Sequence, residues 1–110
     1  MSTVQIKRNE NQAFIELREP LTLSFASELR PQLNQLVAEG VSDMVVDLTL
    51  VDLVDSSGIG LLIATRNSLS RAGGGLRVVG ISPEIQHLFK VMHLDRHFEI
   101  EGKPDSGSQS

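Results

Sequence analysis

Apolar and polar residues alternate with a period of two at the start of the chain. Val4 and Ile6 are separated by polar residues, and the alternation returns in the apolar residues Ala13, Ile15 and Leu17. A period of two is typical of half-buried β-strands, and the polar segment Arg-Asn-Glu-Asn-Gln between the two runs favours a turn. The pattern therefore predicts a β-hairpin over residues 3–17.

The apolar period then lengthens to that of an α-helix. Apolar residues recur on one helical face at Phe25, Leu29, Leu33, Leu36 and Val37. Thr22 or Ser24 is expected to be the N-cap of this helix, and Gly40 is expected to end it. Pro31 lies inside the pattern and removes one backbone hydrogen bond, so a kink is expected there.

Two later apolar runs, 44–48 and 76–81, are rich in β-branched residues and nearly lack polar interruptions. Such runs predict strands that are buried on both faces of a sheet, and the first of them is expected to be central. A helix is predicted between them, from Ser56 to the glycines at 73–75. Another helix is predicted after the second run, with Ser82 as its N-cap.

The resulting order is ββαβαβα, and Phe98 with Ile100 predicts a last edge strand. Because strands separated by helices form parallel sheets, the fold class is predicted to be α/β. We expect one domain over residues 1–101, with a mostly parallel mixed sheet of four to five strands and three or more helices. Residues 102–110 are rich in Pro, Gly and Ser and lack apolar residues, which predicts a disordered tail.

Composition and charge reduce the number of function classes that fit the chain. The 110 residues leave room for one core, and the absence of cysteine excludes disulfides and thiolate chemistry and favours the cytoplasm. A net charge of −4 with scattered Lys and Arg argues against nucleic-acid binding. No apolar segment is long enough to cross a membrane. A protein partner is therefore favoured.

Catalytic and ligand-binding motifs do not fit the segment 50–66. A nucleophile elbow needs a glycine two residues before its serine, but Val54 stands there for Ser56 and Asp55 for Ser57. Ile63 occupies the third glycine position of a dinucleotide fingerprint, and no Gly-Lys-Ser/Thr is present for a phosphate-binding loop. The spacing of the three histidines matches no common metal signature. We expect no catalytic residue, no metal and no cofactor.

Ser56 and Ser57 are predicted to begin a helix at the carboxyl end of the central strand, where ligands gather in α/β folds. In one interpretation a serine caps the helix, and Gly58 and Gly60 let helix and sheet approach closely. In the other interpretation the serine pair is a modification site, because a helix N-terminus offers N–H groups and positive dipole charge to a phosphate. Both interpretations stay open on these residues alone.

The faces of this helix also allow two interpretations. The core stripe is expected to consist of Leu61, Leu62, Thr65 and Leu69. Ile59 and Ile63 fall on another flank, beside Arg66. The two isoleucines either pack under a neighbouring helix or form an apolar docking patch next to Ser56.

The segment Asp-Leu-Thr-Leu-Val-Asp-Leu-Val-Asp-Ser-Ser-Gly-Ile-Gly-Leu-Leu at 47–62 resembles the signature of STAS-domain proteins, particularly bacterial anti-sigma factor antagonists. The resemblance covers roughly residues 3–100. It implies a partner-switching cycle, in which the unphosphorylated chain binds an anti-sigma factor that is itself a serine kinase with its own bound ATP. The kinase phosphorylates Ser56 and the complex separates, after which a serine phosphatase resets the chain.

The surface expected to bind the partner comprises Thr22, Ser24, Asp55, Ser56, Ser57, Gly58, Ile59, Ile63 and Arg66. Thr22 stands where family members often carry an acidic residue, in the segment Glu-Pro-Leu-Thr. This departure favours the alternative function, a non-switching STAS scaffold subunit of a transporter or a stress-sensing assembly. A small hydrolase that uses Ser57 is the weakest alternative, because no histidine lies near the motif.

Overall fold

A computed structural model of the chain describes residues 3–103. The strands and helices are, in chain order, β1 (Val4–Asn9), β2 (Gln12–Leu17), α1 (Leu23–Ala38), β3 (Asp43–Asp47), α2 (Ser56–Arg71), β4 (Gly75–Ile81), α3 (Pro83–Val91), a short 3₁₀ helix (Leu94–Arg96) and β5 (Glu99–Gly102). Each predicted helix and strand is present, and the strands differ from the predicted runs by one or two residues at their ends.

The five strands form one sheet in the order β1-β2-β3-β4-β5, which is also their order along the chain. β1 and β2 pair as an antiparallel hairpin, with Ile6 opposite Ile15. The remaining neighbours, β2 with β3, β3 with β4 and β4 with β5, are parallel. The predicted α/β class with a mixed, mostly parallel sheet is confirmed, and β3 is the central strand.

The strand order explains why the core lies on one side of the sheet. Each of the three crossovers, through α1, α2 and α3, steps to the next strand in the same direction. Right-handed crossovers that all step in one direction place their helices on the same face. Alternate strand residues such as Ile15, Val46 and Val78 are accordingly buried beneath the helices.

The prediction that β3 and β4 are buried on both faces is wrong. Met44 and Val46 are buried, whereas Val45 between them is half-buried, and Arg77 on β4 is exposed. The same open face carries Phe14 on β2, whose side chain is 40% exposed. A short apolar run matches a strand with two covered faces, but within residues 3–103 no second helical layer covers the far face.

The helices follow the predicted apolar periods. In α1 the apolar stripe is buried except for the half-buried Val37, and the helix continues through the exposed Pro31 to Ala38. Thr22 is the N-cap residue of α1, but its side chain makes no capping hydrogen bond. None of the helices formed within residues 3–103 is long and apolar enough to cross a membrane.

The ordered domain extends beyond the predicted boundary at residue 101. Gly102 is the last residue of β5, and the backbone N–H of Lys103 donates to the carbonyl of Ile81 at 2.9 Å. The tail was expected to begin at residue 102, so its first two residues belong to the folded part. The rest of the predicted tail, 104–110, lies outside the described residues.

Candidate partner-binding site

The starts of α1 and α2 lie side by side at the carboxyl edge of the parallel strands. The N–H of Leu21 donates to the carbonyl of Leu53 at 2.9 Å, and the N–H of Asp55 donates to the carbonyl of Leu21 at 3.2 Å. These bonds make Leu21 and Val54 a short parallel bridge, and both side chains are buried. These backbone hydrogen bonds therefore hold together the two segments that precede α1 and α2 in the chain.

Asp55 is the N-cap of α2. Its Oδ1 accepts the backbone N–H groups of Ser57 at 2.9 Å and Gly58 at 3.0 Å. Its Oδ2 accepts the N–H of Leu23, the first residue of α1, at 3.2 Å. The interpretation in which a serine caps α2 is therefore wrong, because the preceding carboxylate takes that role. Asp ranks with Ser among the preferred N-cap residues, so the sequence contained this signal.

The serine pair occupies the first two helical positions of α2. Ser56 is exposed and Ser57 is half-buried. Neither hydroxyl has a hydrogen-bond partner within the part of the chain that the structure describes. Ser56 therefore presents a hydroxyl to solvent at the start of a helix, where the helix dipole attracts an added phosphate.

Gly58 and Gly60 both lie in the first two turns of α2, but the space around them differs. A Cβ on Gly58 would stand 2.4 Å from the carbonyl oxygen of Leu21, so only glycine permits this contact between α2 and the segment before α1. A Cβ on Gly60 would meet nothing within 4 Å. Close approach thus explains Gly58, with Leu21 rather than the sheet as the neighbour, and leaves Gly60 without a packing reason.

The isoleucine docking patch is not formed. Ile59 is 5% exposed and belongs to the core, and Ile63 is half-buried against the core. The predicted core stripe is confirmed, since Leu61, Leu62, Thr65 and Leu69 are all buried. Because α2 packs against α1 as well as the sheet, its buried surface is wider than one stripe.

Arg66 does not lie at this site. Ten residues separate it from Ser56 along α2, which is about 15 Å at the rise of an α-helix. It lines a cleft of about 470 Å³ at the opposite edge of the sheet, together with residues from the starts of β3 and β4 such as Asp43 and Gly75. Its guanidinium donates to Oδ1 of Asn67 at 3.2 Å.

The remaining predicted residues are brought together. Thr22 and Ser24 flank Leu23, whose N–H is bound by Asp55, so they adjoin the start of α2. Thr22 is half-buried and Ser24 is exposed. Within residues 3–103 no group of His, Cys, Asp and Glu side chains is arranged to hold a metal ion.

Three exposed leucines at this edge were missed by the sequence analysis. Leu23 is 63% exposed at the start of α1, and Leu50 and Leu53 are 57% and 54% exposed in the loop before α2. We call these three residues the leucine rim. The signal in the sequence was a run of apolar residues between β3 and α2 that fits neither a strand nor a helix. Large exposed apolar patches mark interaction surfaces, and these three residues are the candidates for one at this edge.

The comparisons with known proteins agree with this architecture. The chain matches the family model for the STAS domain over residues 3–107. It is 28% identical over 106 residues to the anti-sigma-B factor antagonist of Bacillus subtilis (strain 168), and the match covers 96% of both chains. It is 31% identical over 80 residues to the anti-sigma-B factor antagonist of Staphylococcus aureus (strain NCTC 8325), covering 67% of this chain and 74% of that protein.

Solved structures share the fold. An anti-sigma factor antagonist from Mycobacterium paratuberculosis superposes with a TM-score of 0.80 at 22% identity, covering 94% of this chain and 88% of that one. The anti-sigma factor antagonist SpoIIAA in its unphosphorylated form gives 0.79 at 18% identity, covering 88% and 86%. Bacillus SpoIIAA in its phosphorylated form gives 0.72 at 18% identity, covering 88% and 89%.

Proposed function

The chain belongs to the STAS domain family, and we propose that it is an anti-sigma factor antagonist that works by partner switching. In this proposal the unphosphorylated chain binds an anti-sigma serine kinase, and phosphorylation of Ser56 releases it. The kinase supplies the ATP, a serine phosphatase restores the chain, and the cycle takes place in the cytoplasm. The observation that carries the proposal is the exposed Ser56 hydroxyl, unbonded within residues 3–103, at the first helical position of α2.

Burial of the leucine rim would favour binding of the unphosphorylated chain to its partner. Leu23, Leu50 and Leu53 are more than half exposed, and burial of a leucine side chain is worth about 1.5–3 kcal/mol. Leu23 adjoins Asp55 through the bond between its N–H and the carboxylate, and Leu53 lies three residues before Ser56 in the loop that leads into α2. The proposed partner surface is therefore apolar where it covers these three residues.

Phosphorylation would act on this same surface through charge. A phosphate adds about −1.5 to −2 charges at neutral pH. The segment 43–65 already carries four aspartates and neither Lys nor Arg. A phosphate on Ser56 would stand beside Asp55 and near the leucine rim, so an apolar partner would have to desolvate it without a compensating cation. This supports release, and an effect of about 1.4–4 kcal/mol corresponds to one to three orders of magnitude in affinity.

The test uses a panel of the anti-sigma factors encoded by the source organism, each purified and incubated with the chain and Mg-ATP. Mass spectrometry locates the phosphate, and titration calorimetry measures binding before and after the reaction. We expect one member of the panel to bind wild type, to phosphorylate Ser56 and then to release the chain. Ser56→Ala should bind with similar affinity and stay bound in ATP, and Ser57→Ala is the matched control for the neighbouring hydroxyl.

Three results would contradict the proposal. If no member of the panel phosphorylates the wild-type chain at Ser56, the chain is not a switching antagonist of these proteins. Stable co-purification with a non-kinase assembly, unaffected by Ser56→Ala, would identify the chain as a scaffold subunit. Equal affinity of the partner for wild type, Ser56→Asp and the phosphorylated chain would show that the switch lies elsewhere.

A further inference from the structure

Gly60 is a glycine that the fold does not need. It lies in the second turn of α2, is exposed, and has open space where a Cβ would stand. A glycine inside a helix lowers the folding equilibrium constant about two- to fivefold relative to alanine, because it costs backbone entropy. Gly58, two residues earlier, has a reason for being glycine in its contact with the Leu21 backbone. Gly60 has no such reason.

The position of Gly60 relative to Ser56 supplies a different reason. Residues four apart lie on the same face of a helix, with Cβ positions about 5–6 Å from each other. Side chains on a helix lean toward its N-terminus, so each covers the turn before its own Cα. A side chain at position 60 would therefore lie over the turn that carries Ser56. Glycine leaves that turn uncovered.

We infer that Gly60 keeps the Ser56 hydroxyl open to the kinase, and so acts as a positioning residue for phosphorylation. This inference rests on the proposed function. In the reaction Ser56 Oγ attacks the γ-phosphorus of ATP held by the kinase, the new O–P bond forms as the bond to the bridging oxygen of ADP breaks, and the hydroxyl proton passes to a base of the kinase. Reacting atoms must come within about 3–3.5 Å for such a transfer. A side chain at position 60 would keep the γ-phosphorus of the bound ATP farther than this from Ser56 Oγ.

The experiment compares Gly60→Ala and Gly60→Leu with wild type, using the panel member that phosphorylates wild type. Denaturant unfolding measures the folding equilibrium constant, and initial rates give kcat/KM for phosphorylation of Ser56. Gly60→Ala should fold about two- to fivefold more favourably while kcat/KM falls. Gly60→Leu should lower kcat/KM at least tenfold and remain folded. A merely structural glycine would not raise stability and lower the rate together.

Ser70→Leu is the matched control. Ser70 is exposed on the same helix, and fourteen residues separate it from Ser56, which is about 21 Å along the helix axis. Added bulk there should leave kcat/KM at the wild-type value.

Three outcomes overturn the inference, and they separate it from the proposed function. A folded Gly60→Leu with the wild-type kcat/KM removes the inference and leaves the proposed function standing. Destabilisation by Gly60→Ala would show that the fold itself requires the glycine. Absence of Ser56 phosphorylation in wild type removes the proposed function, and the inference with it.

Discussion

The carboxylate of Asp55 joins two helices, because its Oδ2 accepts the N–H of Leu23 at the start of α1 at 3.2 Å. Its other oxygen, Oδ1, accepts two N–H groups in the first turn of α2. Both helix starts have backbone donors without intrahelical partners, and a carboxylate satisfies such donors more strongly than a hydroxyl does. This side chain therefore holds Ser56 in position relative to α1, together with the bridge between Leu21 and Val54.

Removal of this carboxylate should loosen both helix starts. We expect Asp55→Ala to lower the free energy of unfolding by about 1–3 kcal/mol, from the loss of a cap and of hydrogen bonds to a charged group. Asp55→Asn should recover part of this loss, since its single carbonyl oxygen still accepts. Urea unfolding followed by circular dichroism measures the three values.

Asp52→Ala is the control for this prediction. Asp52 is exposed in the same loop and has no hydrogen bond or ion pair within residues 3–103. Its replacement should change the free energy of unfolding by no more than about 0.5 kcal/mol. Equal effects of Asp52→Ala and Asp55→Ala would contradict the capping role of Asp55.

Gly58→Ala should destabilise the domain. The added methyl group would stand 2.4 Å from the Leu21 carbonyl oxygen and 2.7 Å from its Cγ, so the start of α2 must move away. Overpacking of this kind costs about 1–3 kcal/mol, which exceeds the gain in helix propensity. Thermal and urea unfolding check this value, and an unchanged or raised stability would mean that the two segments are not in close contact.

The leucine rim and the buried isoleucine should respond oppositely to a charge. Leu53→Asp should keep the fold, because Leu53 is 54% exposed, and should weaken binding of the proposed anti-sigma partner about tenfold or more. Ile59→Asp should unfold the domain, because it places an unpaired charge in the core, as should Leu62→Asp. Circular dichroism separates folding from binding, and a folded Ile59→Asp variant would show that Ile59 is not a core residue.

The end of α1 should contribute a pH-dependent part of the stability. Gln35 and then Arg8 donate hydrogen bonds to the Glu39 carboxylate and lower its pKa below the ordinary value. A carboxyl whose folded-state pKa is depressed adds stability above its unfolded-state pKa and loses it as the pH falls through the folded-state value.

The unfolding free energies of wild type and Glu39→Gln should therefore differ near pH 7 and converge as the pH falls below about 4.3, the ordinary pKa of a glutamate. Urea unfolding between pH 3 and pH 7 measures the difference. A gap that stays constant over this range would mean that Glu39 titrates alike in the folded and unfolded chains. Glu28→Gln is the control, because Glu28 is exposed on the same helix and its carboxylate has no ion pair within residues 3–103.

The sequence by itself determined the order of the elements and the class of fold. The alternation around Ile15 and the helical period from Phe25 to Leu36 are patterns among neighbouring residues of the sequence. Each pattern predicts which residues face the core. Strands separated by helices must run parallel, so the crossovers followed as well. The motif at 55–58 also marked the carboxyl edge of the strands as the place where α2 begins.

Only the tertiary structure decided which surfaces stay open. A helical pattern cannot show that α1 packs along α2, that Ile59 is buried, or that Val45 on the far side of β3 is only half-buried. Asp55 reaches Leu23 across 32 positions of the sequence, and the leucine rim exists because two distant segments meet at one edge. The periodicity of a sequence shows which face of one helix or strand is apolar. The exposure of a residue also depends on every other element that packs against that helix or strand, and this packing is set only by the tertiary structure.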